Sequence, residues 1–285
     1  MNILVTGSNG QLGNEMRVLS AAHPKHQYFF TDVVESEGVS VLDITDREAV
    51  SAFVNDNRID LIINCAAYTN VDKAEEDEAT ATKINAEALA VLGSQGVKVI
   101  HVSTDYVFSG DEHTPCRESD PVAPRTVYGV TKLRGEKLLL AACPEAVILR
   151  TAWLYSSFGN NFVKTMIRLG KEKECLGVVF DQIGTPTYAA DLATAIFTVI
   201  ECPVWHPGIY HFTNEGVCSW YDFTLAIHEL AGIKECRVRP ILSEEYQYRT
   251  PRPHYSVLDK SKFKKTFGVE IPHWMDGLRR CMAKL

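Results

Sequence analysis

The stretch Ile3-Leu4-Val5-Thr6-Gly7-Ser8-Asn9-Gly10-Gln11-Leu12-Gly13 decides how the rest of the chain is read. A short apolar run of buried-strand character leads straight into a glycine turn spaced G-x-x-G-x-x-G, and a helical pattern through Met16, Val18 and Leu19 follows. Strand, turn and helix in that order set the first N–H groups of a helix against a backbone that a pyrophosphate can approach closely. The spacing is not that of the commonest dinucleotide fingerprint, G-x-G-x-x-G. The next strand adds weight: Gln27-Tyr28-Phe29-Phe30-Thr31 reads as β and ends at Asp32, where an acid usually meets the adenosine ribose.

Working outward, buried-strand runs at 3–6, 28–32, 61–65, 97–103 and 146–150 alternate with helical segments around 11–22, 46–57, 72–95 and 126–142. Such alternation predicts right-handed βαβ crossovers, hence an α/β fold built on a Rossmann-like, doubly wound parallel sheet. Residues 1–150 are expected to form mainly the nucleotide-binding part and 151–285 mainly a smaller, interleaved substrate-binding region. The helix at 191–200 has the apolar periodicity of a layer packed on the sheet, so segments of the second part should return to the first. Ligands of such sheets bind beyond the C-terminal strand ends.

Composition narrows the function. With 46% hydrophobic and 23% charged residues, the 285-residue chain can bury a full core. Its formal net charge of −7 and the lack of a Lys/Arg stripe argue against a nucleic-acid partner. No apolar run is long enough to span a bilayer, and no charged-then-apolar leader opens the chain, so a cytoplasmic protein without a membrane partner is expected. Eight cysteines without C-x-x-C pairs read as reduced thiols. His228-Glu229-Leu230-Ala231-Gly232 lacks the second histidine of a zinc helix, so no metal site is predicted. Glu75-Glu76-Asp77-Glu78 reads as the solvated face of a helix start.

The chemistry lies in Tyr128-Gly129-Val130-Thr131-Lys132, preceded by Ser103-Thr104-Asp105 at a strand end. Reducing a ketone with a nicotinamide requires hydride at carbon and a proton at oxygen. A phenol, with an ordinary pKa of about 10, needs a nearby cation to serve as that acid. Lys132, one helical turn beyond Tyr128, is placed to supply it, and an ammonium within ~4 Å of the phenolate is worth up to ~4 kcal/mol. Thr104 would offer a hydroxyl to the substrate carbonyl. Trp153 lies just past a strand end, where its indole can cover a ring, and Asp105 can accept sugar hydroxyls.

These residues, with 64–75, 103–108, 127–132, 150–155, 159–162, 181–187 and Arg252-Pro253, resemble the extended short-chain dehydrogenase/reductase superfamily, and within it the dTDP-4-dehydrorhamnose reductase family. The resemblance implies catalysis by Thr104, Tyr128 and Lys132. It implies that Gly7, Gly10, Gln11, Leu12, Gly13, Asp32, Asp43, Ile44, Ala66, Ala67 and Thr69, with Tyr128 and Lys132, hold the dinucleotide. Asp105, Tyr106 and Trp153, beside Thr104, would touch a dTDP-sugar substrate. NADPH is the implied cofactor, with NADH as an alternative, although Asp32 favours a free ribose 2′-OH. Some relatives form homodimers bridged by Mg²⁺ through glutamates; Glu15 matches one such position, and Thr187-Tyr188-Ala189-Ala190-Asp191 lacks the partner glutamate. Dehydratases of this superfamily carry Asp-Glu after the threonine, whereas here Tyr106 follows Asp105. An epimerase, another NDP-4-keto-sugar reductase and a non-catalytic relative such as the methionine adenosyltransferase β subunit are the competing readings.

Overall fold

The computed structural model describes residues 1–247 and 250–285. The first half runs β1 (Asn2–Thr6), α1 (Gln11–Ser20), β2 (Gln27–Asp32), β3 (Ser40–Val41), α2 (Arg47–Asp56), β4 (Leu61–Asn64), α3 (Val71–Glu76), α4 (Glu78–Thr82), α5 (Ala88–Gly93), β5 (Lys98–Thr104) and α6 (Val127–Ala142). The second half runs β6 (Val147–Thr151), β7 (Leu154–Tyr155), α7 (Phe162–Glu172), β8 (Cys175–Val179), β9 (Ile183–Gly184), β10 (Thr187–Tyr188) and α8 (Ala189–Glu201). It continues with β11 (Gly208–His211), β12 (Cys218–Ser219), α9 (Trp220–Leu230), β13 (Arg237–Ile241), α10 (Ser261–Phe267) and α11 (Trp274–Met282).

Seven parallel strands form one sheet in the order β11-β6-β5-β4-β1-β2-β3. Because successive strand residues point to opposite faces, β1 divides its apolar residues between two cores. Ile3 and Val5 join one with α1 and α8, while Leu4 joins the other with α2, α5 and the end of α6. Strand β4 repeats the pattern, Leu61 and Ile63 on the first face and Ile62 on the second. The near-continuous apolar reading of these strands thus reflects burial on both faces. A third cluster around Tyr155, Tyr188, Phe223 and Trp274 packs the later elements together, while α8 and β11 lie with the sheet.

The sheet positions the site through its order. The chain leaves β1 toward β2 on one side and returns to β4 on the other, and this reversal opens a crevice past the C-terminal ends. The expected helix at 72–95 is broken: Asp77 ends α3, and its carboxylate caps α4 by accepting from Thr80 N at 3.1 Å. A π-helical turn, Lys83–Glu87, joins α4 to α5. The acidic run is therefore more than a solvated face, since Glu75 also accepts from Val127 N, at the start of α6, at 2.9 Å.

Candidate active site

The crevice widens into a cavity of about 1040 Å³ lined by the glycine turn, the ends of β2, β4, β5 and β6, and the start of α6. That exceeds the ~300–1,000 Å³ usual for one small ligand, so it has room for a cofactor and a substrate together.

The glycine turn is shaped by contact. Gly7 has φ +68°, and a Cβ there would lie 2.5 Å from Ala66 N, so only glycine lets the β1 and β4 ends approach this closely. Helix α1 has Gly10 at its N-cap, so it lacks a side-chain cap, and it has no acid in its first turn. Its free N–H groups and the positive end of its dipole therefore fit a pyrophosphate. Gly7, Gly10, Gln11, Leu12, Asp32, Asp43, Ile44, Ala66, Ala67 and Thr69 all line the cavity. Gly13 does not: a Cβ there would meet Gly7 O at 2.3 Å and Ser8 Cα at 2.4 Å, so its place is under the turn, packing helix on strand.

Asp32 accepts from Asn9 N at 2.9 Å and Val33 N at 2.8 Å, which ties it to the glycine turn. Burial works to raise the Asp43 pKa, but the Thr45 N–H and hydroxyl, at 2.8 and 2.7 Å, hold it below the usual carboxylate value. Sequence reasoning missed Lys83 and Ile84, which the π-helical turn presents to the cavity. Only that irregular turn, of a kind frequent at functional sites, could have signalled them, and it has no sequence signature of its own.

Thr104, at the end of β5, and Tyr128 and Lys132, in the first turns of α6, line the same cavity. Thr104 ends β5; its oxygen accepts from Tyr106 N at 3.2 Å and its hydroxyl donates to Asp105 Oδ1 at 2.9 Å. Burial pushes the Asp105 carboxyl up to about 7, so near neutrality it can donate as well as accept. Thr126 caps α6 by accepting from Gly129 N at 3.0 Å, which fixes the first turn that carries Tyr128. Gly129 is required there because a Cβ would lie 2.3 Å from Tyr106 O. Tyr106 meets the Tyr128 ring edge-on, centroids 5.4 Å apart.

One expectation needs correction. Lys132 was to lower the Tyr128 pKa, yet desolvation raises that phenol to about 12. The lysine side chain runs inward, its Nζ 2.7 Å from Val102 O and 3.1 Å from His101 Nε2, and burial lowers its own pKa to about 8. Spacing of i,i+4 puts both residues on one helix face, but the buried acceptors decide where the ammonium goes. Trp153 lines the cavity with a left-handed backbone (φ 48°) and stacks on Trp220, ring centroids 3.4 Å apart. It both packs and faces the site.

Glu15 does not suit a metal shared between chains. It is 2% exposed, accepts from Ser156 Oγ at 2.6 Å and stands 3.9 Å from Lys284 Nζ. Among the described residues no group of three or more His, Cys, Asp or Glu side chains could hold a metal, and no helix is long and apolar enough to cross a membrane.

A parallel Rossmann sheet with a glycine turn at its switch point and a Thr, Tyr, Lys trio lining the same cavity defines a dinucleotide-binding α/β protein of the short-chain dehydrogenase/reductase class. The family model described as RmlD substrate binding domain matches residues 1–285, and the chain belongs to that family. It is 37% identical over 99% of its length, and 98% of the other chain, to a dTDP-4-dehydrorhamnose reductase of Aggregatibacter actinomycetemcomitans. It is 41% identical over its whole length, and 96% of the relative's, to a probable dTDP-4,6-dihydroxy-2-methyloxan-3-one 4-ketoreductase of Streptomyces antibioticus. Among solved structures it resembles, with a TM-score of 0.91, 38% identity and coverage of 100% and 99% of the two chains, the dTDP-4-dehydrorhamnose reductase of Bacillus anthracis in complex with NADP.

Proposed function

We propose that this chain is a cytoplasmic, NADPH-dependent reductase that converts the C4 ketone of dTDP-4-dehydro-β-L-rhamnose to the alcohol of dTDP-L-rhamnose. The observation that carries the reading is that Thr104, Tyr128 and Lys132 line one cavity together with the uncapped glycine turn. When bound, the reduced nicotinamide supplies the hydride.

The chain's own residues do the rest. Tyr128 gives its phenolic proton to the ketone oxygen as charge gathers there. Lys132, a cation below about 8, lines the same cavity and would hold the ribose hydroxyls of the cofactor with its ammonium; it does not bring the Tyr128 phenol below its ordinary value. Thr104 steadies the same oxygen with its hydroxyl; once Asp105 is protonated it can donate to Thr104, which frees that hydroxyl to turn to the substrate. Trp153 and Tyr106 form the walls against which the sugar nucleotide is held.

The deciding experiment mixes purified protein with NADPH and dTDP-4-dehydro-L-rhamnose generated in the same tube. Stoichiometric loss of reduced-nicotinamide absorbance with formation of dTDP-L-rhamnose is expected. Cofactor binding without oxidation would move the assignment to another dTDP-linked keto-deoxysugar, the reading favoured by the Streptomyces relative, and a second keto-sugar run in parallel distinguishes the two.

Two further results are expected. Reductive kcat/KM, which reports the free enzyme's essential groups, should fall as pH rises through about 8, because Lys132 loses its proton there; a flat profile from 7 to 9 would remove the lysine from the mechanism. Asp32→Asn should strengthen NADPH binding relative to NADH by about tenfold, since it removes a negative charge from the end of β2 where the adenosine ribose would lie. Parallel titrations with the two cofactors measure that ratio.

A further inference from the structure

Behind the catalytic lysine runs a buried chain of polar side chains that none of these roles uses. Thr6 Oγ1 lies 2.6 Å from Asn64 Oδ1, Asn64 Nδ2 lies 2.9 Å from His101 Nδ1, and His101 Nε2 lies 3.1 Å from Lys132 Nζ. The four residues sit on β1, β4, β5 and α6 and are all 1% exposed or less. Polar groups in so dry an interior are costly unless each finds a complementary partner.

Complementarity restricts the protons. A neutral imidazole carries one N–H, so its two nitrogens cannot both accept. If Asn64 donates to Nδ1, then Nε2 carries the proton and Lys132 must be a neutral amine. If the Asn64 amide is turned over, its oxygen accepts from Nδ1–H and Nε2 presents a lone pair to an ammonium. Thr6, whose hydroxyl donates or accepts, is satisfied either way, and Val102 O accepts from the lysine in both. Amide oxygen and nitrogen have nearly the same shape, so the partners' proton needs decide between the two settings. The turned setting gives up one long contact, from Ala66 N at 3.3 Å. It is the one compatible with a charged lysine, and burial together with that charge holds the His101 pKa well below its ordinary value, which keeps the ring an acceptor.

We propose that His101 is a positioning residue of the active site: through Nε2 it accepts from the Lys132 ammonium, and Asn64 and Thr6 hold it in the Nδ1–H tautomer that makes this possible. The chain begins at the last residue of β1, directly before Gly7, so it joins the cofactor turn to the catalytic lysine. The groups facing Lys132 are His101 and the Val102 carbonyl from β5 and, from its own helix, Glu136, which is paired with Arg150 of β6. The inference rests on the reductase reading, and its first test does not use turnover.

Protein labelled with ¹⁵N-histidine reports the tautomer by long-range ¹H–¹⁵N correlation, with the His101 signals assigned by their loss in His101→Gln. A protonated Nδ1 and a bare Nε2 are expected at pH 7; a protonated Nε2 overturns the proposal whatever the enzyme's substrate. The second test compares two variants in the reductase assay. His101→Gln can set its amide oxygen where Nε2 stood, and should keep the alkaline limb of kcat/KM within about 0.3 pH unit of wild type. His101→Leu removes the acceptor, disfavours the ammonium, and should move that limb down by about one pH unit with about tenfold less turnover at pH 8. Equal losses in both variants with an unmoved limb would mean that the ring merely packs, and would overturn the assignment.

Discussion

Tyr128→Phe should lower turnover by about 10²–10⁴, the usual contribution of a positioned general acid, while weakening NADPH binding by no more than about tenfold. The ring would stay, since Tyr106 packs edge-on against it and the Thr126 cap fixes its helical turn, so only the proton donor is removed. Single-turnover rates with bound cofactor, measured beside a fluorescence titration, separate the two effects. Near-normal turnover would remove Tyr128 as the acid.

Arg150→Met should destabilise the protein by about 3–5 kcal/mol, because it leaves a carboxylate buried and unpaired. Arg150 Nε and Nη2 donate to the two oxygens of Glu136 at 2.9 and 2.7 Å, side-chain exposures are 3% and 2%, and the guanidinium also lies 5.3 Å over the Phe108 ring. The double variant Arg150→Met/Glu136→Leu should recover most of the loss, since an apolar pair of similar volume removes the desolvation cost along with the attraction. Urea unfolding of the two variants and of Glu136→Leu alone completes the cycle. A loss below about 1 kcal/mol for Arg150→Met would show that water reaches the pair. The pair also bears on the site: Glu136 stands one turn beyond Lys132 and works against the burial that lowers the lysine's pKa.

Much of this was legible before the fold was seen. The β1 turn, Asp32 at the end of β2, Thr104 at the end of β5 and the Tyr128, Lys132 pair all line the cavity. Each lies at a place that strand and helix periodicity can locate, so reading the elements also read the site. The helical stretch after Val71 was drawn too simply. Asp77 caps a new helix and Lys83–Glu87 winds as a π-turn, held where Asn85 bonds the Tyr68 backbone at 2.9 and 3.0 Å and Thr131 Oγ1 at 3.2 Å. Those bonds reach residues 17 and 46 positions away, beyond any local pattern.

The sequence by itself determined the strand-turn-helix that opens the chain, the parallel α/β alternation, and the candidate acid with its lysine, because all of these rest on spacings of a few residues. Tertiary structure alone decided what those groups are chemically. It buried Asp105, half-buried Tyr128 and so raised both, it turned Lys132 toward His101 and Val102 O, and it put Gly13 under the turn instead of in the cavity. It also turned Glu15 inward to Ser156, 141 residues away. Desolvation and long-range partners set proton affinity and direction, and neither is encoded in the order of neighbouring residues.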